Sequence, residues 1–264
     1  MSDWIHALPL GWMAIVVFGA TYLTAAAIYS LVMTLARGER ARAFKGVSAG
    51  MLSPLGLIFG LLVAFVAAQV WGDLDRATAA VTREASALRA VVLLSTTFPG
   101  EPETRLRTLV TRHVEEASNV EWPAMGSRRA RLTVPASLAQ ALRTTLALSP
   151  TSGGQLAAQR EIVVALENAA DARRHRILAS QSQVNWVKWG ALLLQAACTL
   201  AAIALVHCDN PLTARLALGL FSTAIALCIL LITAHDRPFT GQLAVQPEPL
   251  LEVLPDRSKA GNLP

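Results

Sequence analysis

The sequence predicts an all-α integral membrane protein, two transmembrane helical hairpins joined by an extramembrane, coiled-coil-like helical domain. Three observations carry this. Four apolar stretches, at about 10–35, 52–70, 186–206 and 212–234, each come close to the roughly 20 residues that an α-helix needs to cross about 30 Å of hydrocarbon. The chain of 264 residues is 53% hydrophobic and 16% charged, and the charges gather between and beside those stretches instead of mixing with them at helical or strand period. The central hundred or so residues show apolar positions in steps of three and four, with no alternating strand pattern and no internal repeat. The expected parts are an N-terminal hairpin at 1–71, a helical domain at 72–185, a C-terminal hairpin with its terminal turn at 186–241, and a tail at 242–264.

The first span follows Pro9, with Trp4, Trp12 and Tyr29 as aromatics suited to membrane interfaces. Its apolar run exceeds the core of a signal peptide and no basic segment precedes it, so it reads as a retained helix. A short basic connection, 37–45, leads to a second span expected to open at Ser53-Pro54, where a first-turn proline loses no hydrogen bond. Within this span Gly56, Gly60, Ala64, Ala68 and Gly72 recur every four residues. Small side chains at that period let helix backbones approach closely, so the stripe predicts packing within the chain or between copies. Phe59, Leu62, Val63 and Phe65 are candidate pore-lining residues, and the two roles are compatible on different faces.

The second helix continues beyond the bilayer through Leu74, Ala77, Val81, Glu84, Leu88 and Val91, a coiled-coil-like seam that stops at Pro99-Gly100. Glu84 sits at an apolar seam position and needs a cation; Arg83 and Arg89 lie on other faces. A helix opening at Glu101 presents Leu106, Leu109, Val110, His113 and Ala117 on one side, with first-turn acids that suit its dipole. Glu121-Trp122-Pro123 is expected to end it, since proline restricts its predecessor, and 125–131 reads as a basic loop. A short helix follows Val134-Pro135 to about Leu148. After the break at Ser149–Gly154, a long helix is expected to feed directly into the third span and to pair antiparallel with the second as a stalk. Arg173-Arg174-His175-Arg176 reads as a membrane-proximal cationic surface that attracts anions, in preference to a phosphate site.

The fourth span begins near Pro211 and ends in Asp236-Arg237-Pro238-Phe239-Thr240-Gly241. Here Asp236 accepts hydrogen bonds, Pro238 stops the helix and Gly241 permits positive φ; the alternative to a purely structural turn is a ligand- or gate-related role. Pro249–Leu254 is an apolar patch that docks on the helical domain or on the membrane surface, and residues from about Asp256 read as disordered.

Several classes are disfavoured. Net charge is +5, but the basic residues flank the spans and lack the interleaved aromatics that stack bases, so no nucleic acid is expected. The five histidines are never spaced as ligand pairs and no CxxC occurs, so neither a metal nor another cofactor is expected. No nucleophile elbow, zinc-protease or P-loop pattern is present, and an enzyme is the least expected class. The spans contain Gln69 and Gln195 as their notable polar groups, with Lys188 and Arg215 near the ends; coupled transport, which relies on intramembrane ionisable groups, is disfavoured against a passive hydrophobic pore or no transport.

Two blocks resemble the bestrophin-like (DUF4239) family of membrane proteins. One runs from Ser53-Pro54-Leu55-Gly56 through Phe65, Trp71 and Asp75-Arg76 to Arg83-Glu84-Ala85; the other is Asp236-Arg237-Pro238-Phe239-Thr240-Gly241 followed by Pro249-Leu250. The layout agrees over nearly the whole chain. The resemblance implies a homo-oligomer in a cell membrane, the bacterial inner membrane being the expected one, and, through distant similarity to bestrophin channels, passage of small anions with the second span nearest the axis. Departures are visible: Val66 replaces the Arg that follows the bestrophin phenylalanine, Ala77-Thr78-Ala79-Ala80 replaces a tryptophan-rich run, and 242–246 lacks the acidic calcium-binding cluster. The alternative is a non-conducting scaffold or sensor whose stalk binds a partner. The basic 37–45 segment puts the helical domain and both termini outside by the positive-inside rule, whereas analogy with bestrophins puts them inside.

Overall fold

The computed structural model describes residues 3–6, 8–36 and 39–254, and among these all regular structure is helical. In chain order the helices are α1 (Asp3–His6), α2 (Leu10–Leu35), α3 (Glu39–Ser95), α4 (Glu101–Glu116), a π-helical turn (Ala117–Glu121), α5 (Trp122–Gly126), α6 (Ala136–Leu146), α7 (Gly153–Ala179), α8 (Trp186–Val206), α9 (Pro211–His235) and α10 (Glu248–Leu251). Four of them, α2, the Gly50–Ser95 part of α3, α8 and α9, are long and apolar enough to cross a membrane. Two compact units result among the described residues: those up to 72 with 183–237 and 241–243, and residues 73–182 with 238–240 and 244–254.

In the first unit α2 packs on both α8 and α9, which also pack on each other. Its core includes Met13, Val17, Phe59, Val70, Trp189, Leu200 and Ile225. Hydroxyls on these helices return to their own backbones, as lipid requires of polar groups that water cannot reach: Thr21 donates to the Val17 carbonyl, Thr199 to Gln195 and Thr233 to Ile229, at 2.7–2.9 Å. Asn185 and Asn210 cap α8 and α9 by accepting from the Lys188 and Leu212 amides.

The second unit is a helical assembly in which α6 packs on α4 and α7, and α10 on α4. Ala77, Val81, Leu88 and Val91 of α3 meet Leu106, Val110, Ile162, Leu166 and Ile177 in its core. Ser152 accepts from the Gln155 amide at the start of α7, and Gln155 accepts from the Thr151 amide, so the Ser-Gly-Gly-Gln run acts as a variant capping box. The 249–254 patch resolves onto this unit: Leu250 and Val253 are buried in its core, and Arg89 pairs with Glu252 at 2.7 Å.

Four local expectations need correction. The second helix does not open at Ser53-Pro54; it begins at Glu39 and carries Pro54 internally over 57 residues. Residues 39–45 of the expected connection are therefore helical, while 37 and 38 lie outside the described residues. A missing proline N–H is tolerated in apolar helices because neighbouring groups re-satisfy the backbone. Second, Pro123 does not end its helix. The chain widens into the π-turn, whose end is bridged by the Trp122 amide to the Ala117 carbonyl, and restarts with Pro123 in the first turn of α5, where no N–H is needed. Third, α7 does not feed into the third span. It ends at Ala179, and Ser180 bonds back to the Ile177 carbonyl at 2.6 Å, which favours termination over propagation. Fourth, Arg173 and Arg176 are buried, so Arg173–Arg176 is not a cationic surface, although Arg174 and His175 are exposed. The expected disorder from about Asp256 lies outside the described residues.

Candidate functional site

The second span divides its candidate residues between two faces. Phe59 points into the first unit, 6% exposed, with its ring 5.9 Å from that of Phe221; Leu62 and Val63 pack beside the same core. Phe65 faces away from the chain, 66% exposed. On the small-residue stripe, Gly60, Ala64 and Ala68 are exposed, and Gly56 and Gly72 are partly buried. A methyl group added at Gly56 or Gly60 would meet no atom of this chain within 4 Å. The stripe thus makes no close helix contact inside one copy at these two glycines. Gln195 of α8 donates to the Leu55 carbonyl at 3.0 Å, and Lys188 donates to Gln69, so the polar groups of this region satisfy one another.

The turn after the last span works in two ways. In the first unit, Asp236 is buried and accepts from the Val184 amide at 2.7 Å and from His6 Nε2 at 3.2 Å, so it ties the start of the chain and the entry to α8 to the end of α9. Gly241 has φ +92°, and a Cβ there would stand 3.2 Å from the His6 carbonyl oxygen; only glycine meets both demands. In the second unit, Phe239 packs edge-on against Trp122, with centroids 5.5 Å apart at 81°, and Thr240 donates to the Gly126 carbonyl.

Trp122 leads to the most concentrated chemistry in the molecule. The guanidinium of Arg176 lies 5.1 Å from the centre of its ring, a cation–π contact in a desolvated setting. Arg176 and Glu84 are both 0% exposed. Arg176 Nε donates to Glu84 at 2.7 Å and its Nη2 at 3.2 Å, while Nη2 also donates to Glu121 at 2.9 Å. Arg173 donates to the other Glu121 oxygen at 2.5 and 2.8 Å, and to the Thr133 carbonyl at 2.9 Å, which pins the 127–135 loop. His113 Nε2 lies 2.9 Å from Glu84. Two carboxylates face two guanidinium groups, so these four side chains balance one another in charge, and the His113 ring adds a hydrogen bond to Glu84. Its Nδ1 is buried without a partner.

Burial alone would push the Glu84 carboxyl up, but the charge of Arg176 and the His113 and Arg176 hydrogen bonds outweigh it and hold Glu84 below the ordinary value of 4.5. Glu121 is lowered likewise: desolvation opposes, and Arg173 and Arg176 prevail. Burial also works against the Arg176 charge, yet the two glutamates raise its affinity for the proton. Carboxyls whose folded affinity for protons is lowered contribute stability above their unfolded value and lose it as pH falls through the folded one. Thermal unfolding of the purified protein is therefore expected to be level from about pH 7 to about pH 5, with the midpoint falling below about pH 4.5. Glu84→Gln should flatten that acid limb; an acid limb of unchanged slope would show that other carboxyls set it.

These geometries define a multi-pass membrane protein with a helical unit built around a closed ionic lock. The chain matches the family model for the Bestrophin-like domain over residues 19–250, and it belongs to the bestrophin-like family. No curated protein matches it, and no solved structure does. Among the described residues no group of histidine, cysteine and carboxylate side chains is arranged to hold a metal ion. Of the cluster, sequence reasoning singled out Glu84 and missed its partners. A signal was present: Ile162, Leu166, Ala169, Arg173 and Arg176 step by four, three, four and three, which puts both arginines on the buried seam of α7.

Proposed function

We propose that this bestrophin-like protein forms homo-oligomers that pass small anions passively, with the second span nearest the axis. The observation that carries the reading is the face of that span which the chain leaves uncovered. Leu57, Leu61 and Phe65 are more than half exposed, whereas Phe59, Val66 and Val70 are buried inward. Residues 50–71 contain no ionisable side chain, the composition of a hydrophobic constriction that gates by dewetting and not of a coupled transporter. The resemblance to bestrophin channels supports anions as the permeant species. The two-hairpin arrangement around an extramembrane domain belongs to this proposal, as does the absence of a catalytic step.

Reconstitution into liposomes with a chloride-flux assay tests it. Flux above empty vesicles is expected, and Phe65→Ser should raise it several-fold by wetting the constriction. Assembled, correctly inserted oligomers without flux in either form would end the channel reading in favour of a membrane scaffold whose helical unit binds a partner.

A further inference from the structure

The outer side of the second unit carries a groove of about 950 Å³ between α3 and α7. Its helices run antiparallel: Glu84 meets Arg176, and Thr97 meets Gln155 at 3.0 Å, so ascending residues of α3 face descending residues of α7. The groove extends from Arg76 to Leu94 on α3, about 27 Å of helix. Its floor is alanine, with Ala80, Ala87 and Ala90 on one side and Ala165, Ala172 and Ala179 on the other. These belong to runs stepping by four and three, 76-80-83-87-90-94 and 161-165-168-172-175-179-182, which are heptad seams. Each helix already buries a first seam inward, through Ala77, Val81, Glu84, Leu88 and Val91 on α3. A helix that needed only one packed face would carry long solvated side chains on the other. The two walls also differ in charge. Arg76 and Arg83 stand on α3, and Glu161 and Asp171 on α7, where His175 pairs with Asp171 at 3.4 Å.

We infer that a second copy of this chain occupies the groove, the two copies meeting groove to groove about a two-fold axis parallel to α3 and α7. This rests on the homo-oligomer reading above and names its contact. The operation sets α7 of the mate against this α3, and the mate's α3 against this α7. Every neighbouring pair in the resulting four-helix bundle is then antiparallel, and Arg83 of each copy comes near the level of Asp171 on the other, while Arg76 stays paired with Asp73 of its own helix. Alanine at the facing heptad positions lets the backbones approach closely, where dispersion and Cα–H···O contacts add up.

The test uses the full chain in lipid vesicles with Cys198, Cys208 and Cys228 replaced by alanine. Ala90→Cys, on the groove floor, is expected to be joined to its own counterpart by a short bis-maleimide. Leu93→Cys, on another face of the same helix, is expected to stay unlinked. Ala87→Arg should lower the particle mass measured by light scattering in detergent, with helix content retained. An oligomer whose Ala90→Cys remains unlinked, or links no better than Leu93→Cys, overturns the groove contact and leaves the homo-oligomer reading standing. A parent chain that is monomeric in the vesicles overturns both, and an adduct of mass other than twice the chain assigns the groove to a different partner.

Discussion

Arg176→Ala is expected to destabilise the helical unit by about 3–5 kcal/mol, the range found when one partner of a buried ion pair is removed. The reason is what remains. Glu84, 0% exposed, would keep only its His113 contact, and one Glu121 oxygen would lose its donor. Glu84 cannot reach water without opening the core formed by α3, α4 and α7, whereas Glu121 is already partly exposed. Glu84→Leu combined with Arg176→Leu removes both charges together, and should recover much of the loss because a packed apolar pair avoids the desolvation penalty. Denaturant unfolding in detergent, followed by circular dichroism across all four combinations, gives the coupling directly. An Arg176→Ala chain as stable as its parent would mean that water already reaches Glu84, which contradicts the burial described above.

The second large effect is expected at Asp236. Asp236→Ala leaves the Val184 amide and His6 Nε2 without acceptors inside the first unit, each orphaned donor costing about 1–3 kcal/mol, so about 2–6 kcal/mol together. Asp236→Asn keeps one oxygen for the Val184 amide and should lose less than half as much. Hydrogen exchange at Val184 offers an independent readout: protection should vanish in the alanine variant and persist in the asparagine one. Equal loss in both variants would show that the carboxylate's charge, not its two acceptors, is what the site requires. His6→Ala separates the two bonds, because it removes one donor and leaves the Val184 contact in place.

Much of the fold was legible because hydrocarbon solvation and helical period are local properties. Four apolar runs of the right length identify themselves wherever they later pack, and the α3 seam from Leu74 to Val91 announces a buried face. The sequence even marks Glu84 as an intruder on that face. What it does not announce is the partner, since Arg176 lies 92 positions away and comes within reach only after α3 and α7 have paired. The arginines were legible as charges and were read as surface, because a run of four basic residues is ordinarily solvated. The heptad phase of α7 argues otherwise, but it has to be weighed against the high cost of burying a guanidinium, a cost that only known carboxylate partners offset. Pro123 misled for a related reason: it forbids one hydrogen bond, and the π-turn avoids needing it.

The candidate site shows the same division. The Asp236–Gly241 motif was visible as a turn, and its proline and glycine serve as their chemistry demands. That Phe239 would rest on Trp122, and Trp122 on Arg176, was not, because ring contacts depend on three elements brought together by the chain path. Among the second-span residues, spacing alone placed small side chains on one stripe, but it did not say which face of the helix the chain itself would cover. Packing decided that Phe59 turns inward and Phe65 outward.

By itself, then, the amino-acid order determined the class: a helical protein with four apolar segments long enough to suit lipid. Only the tertiary structure decided where the charges go. Burying an ion is unfavourable or tolerable according to what stands within about 3 Å of it, and that distance is set by helix pairing, which no local pattern encodes.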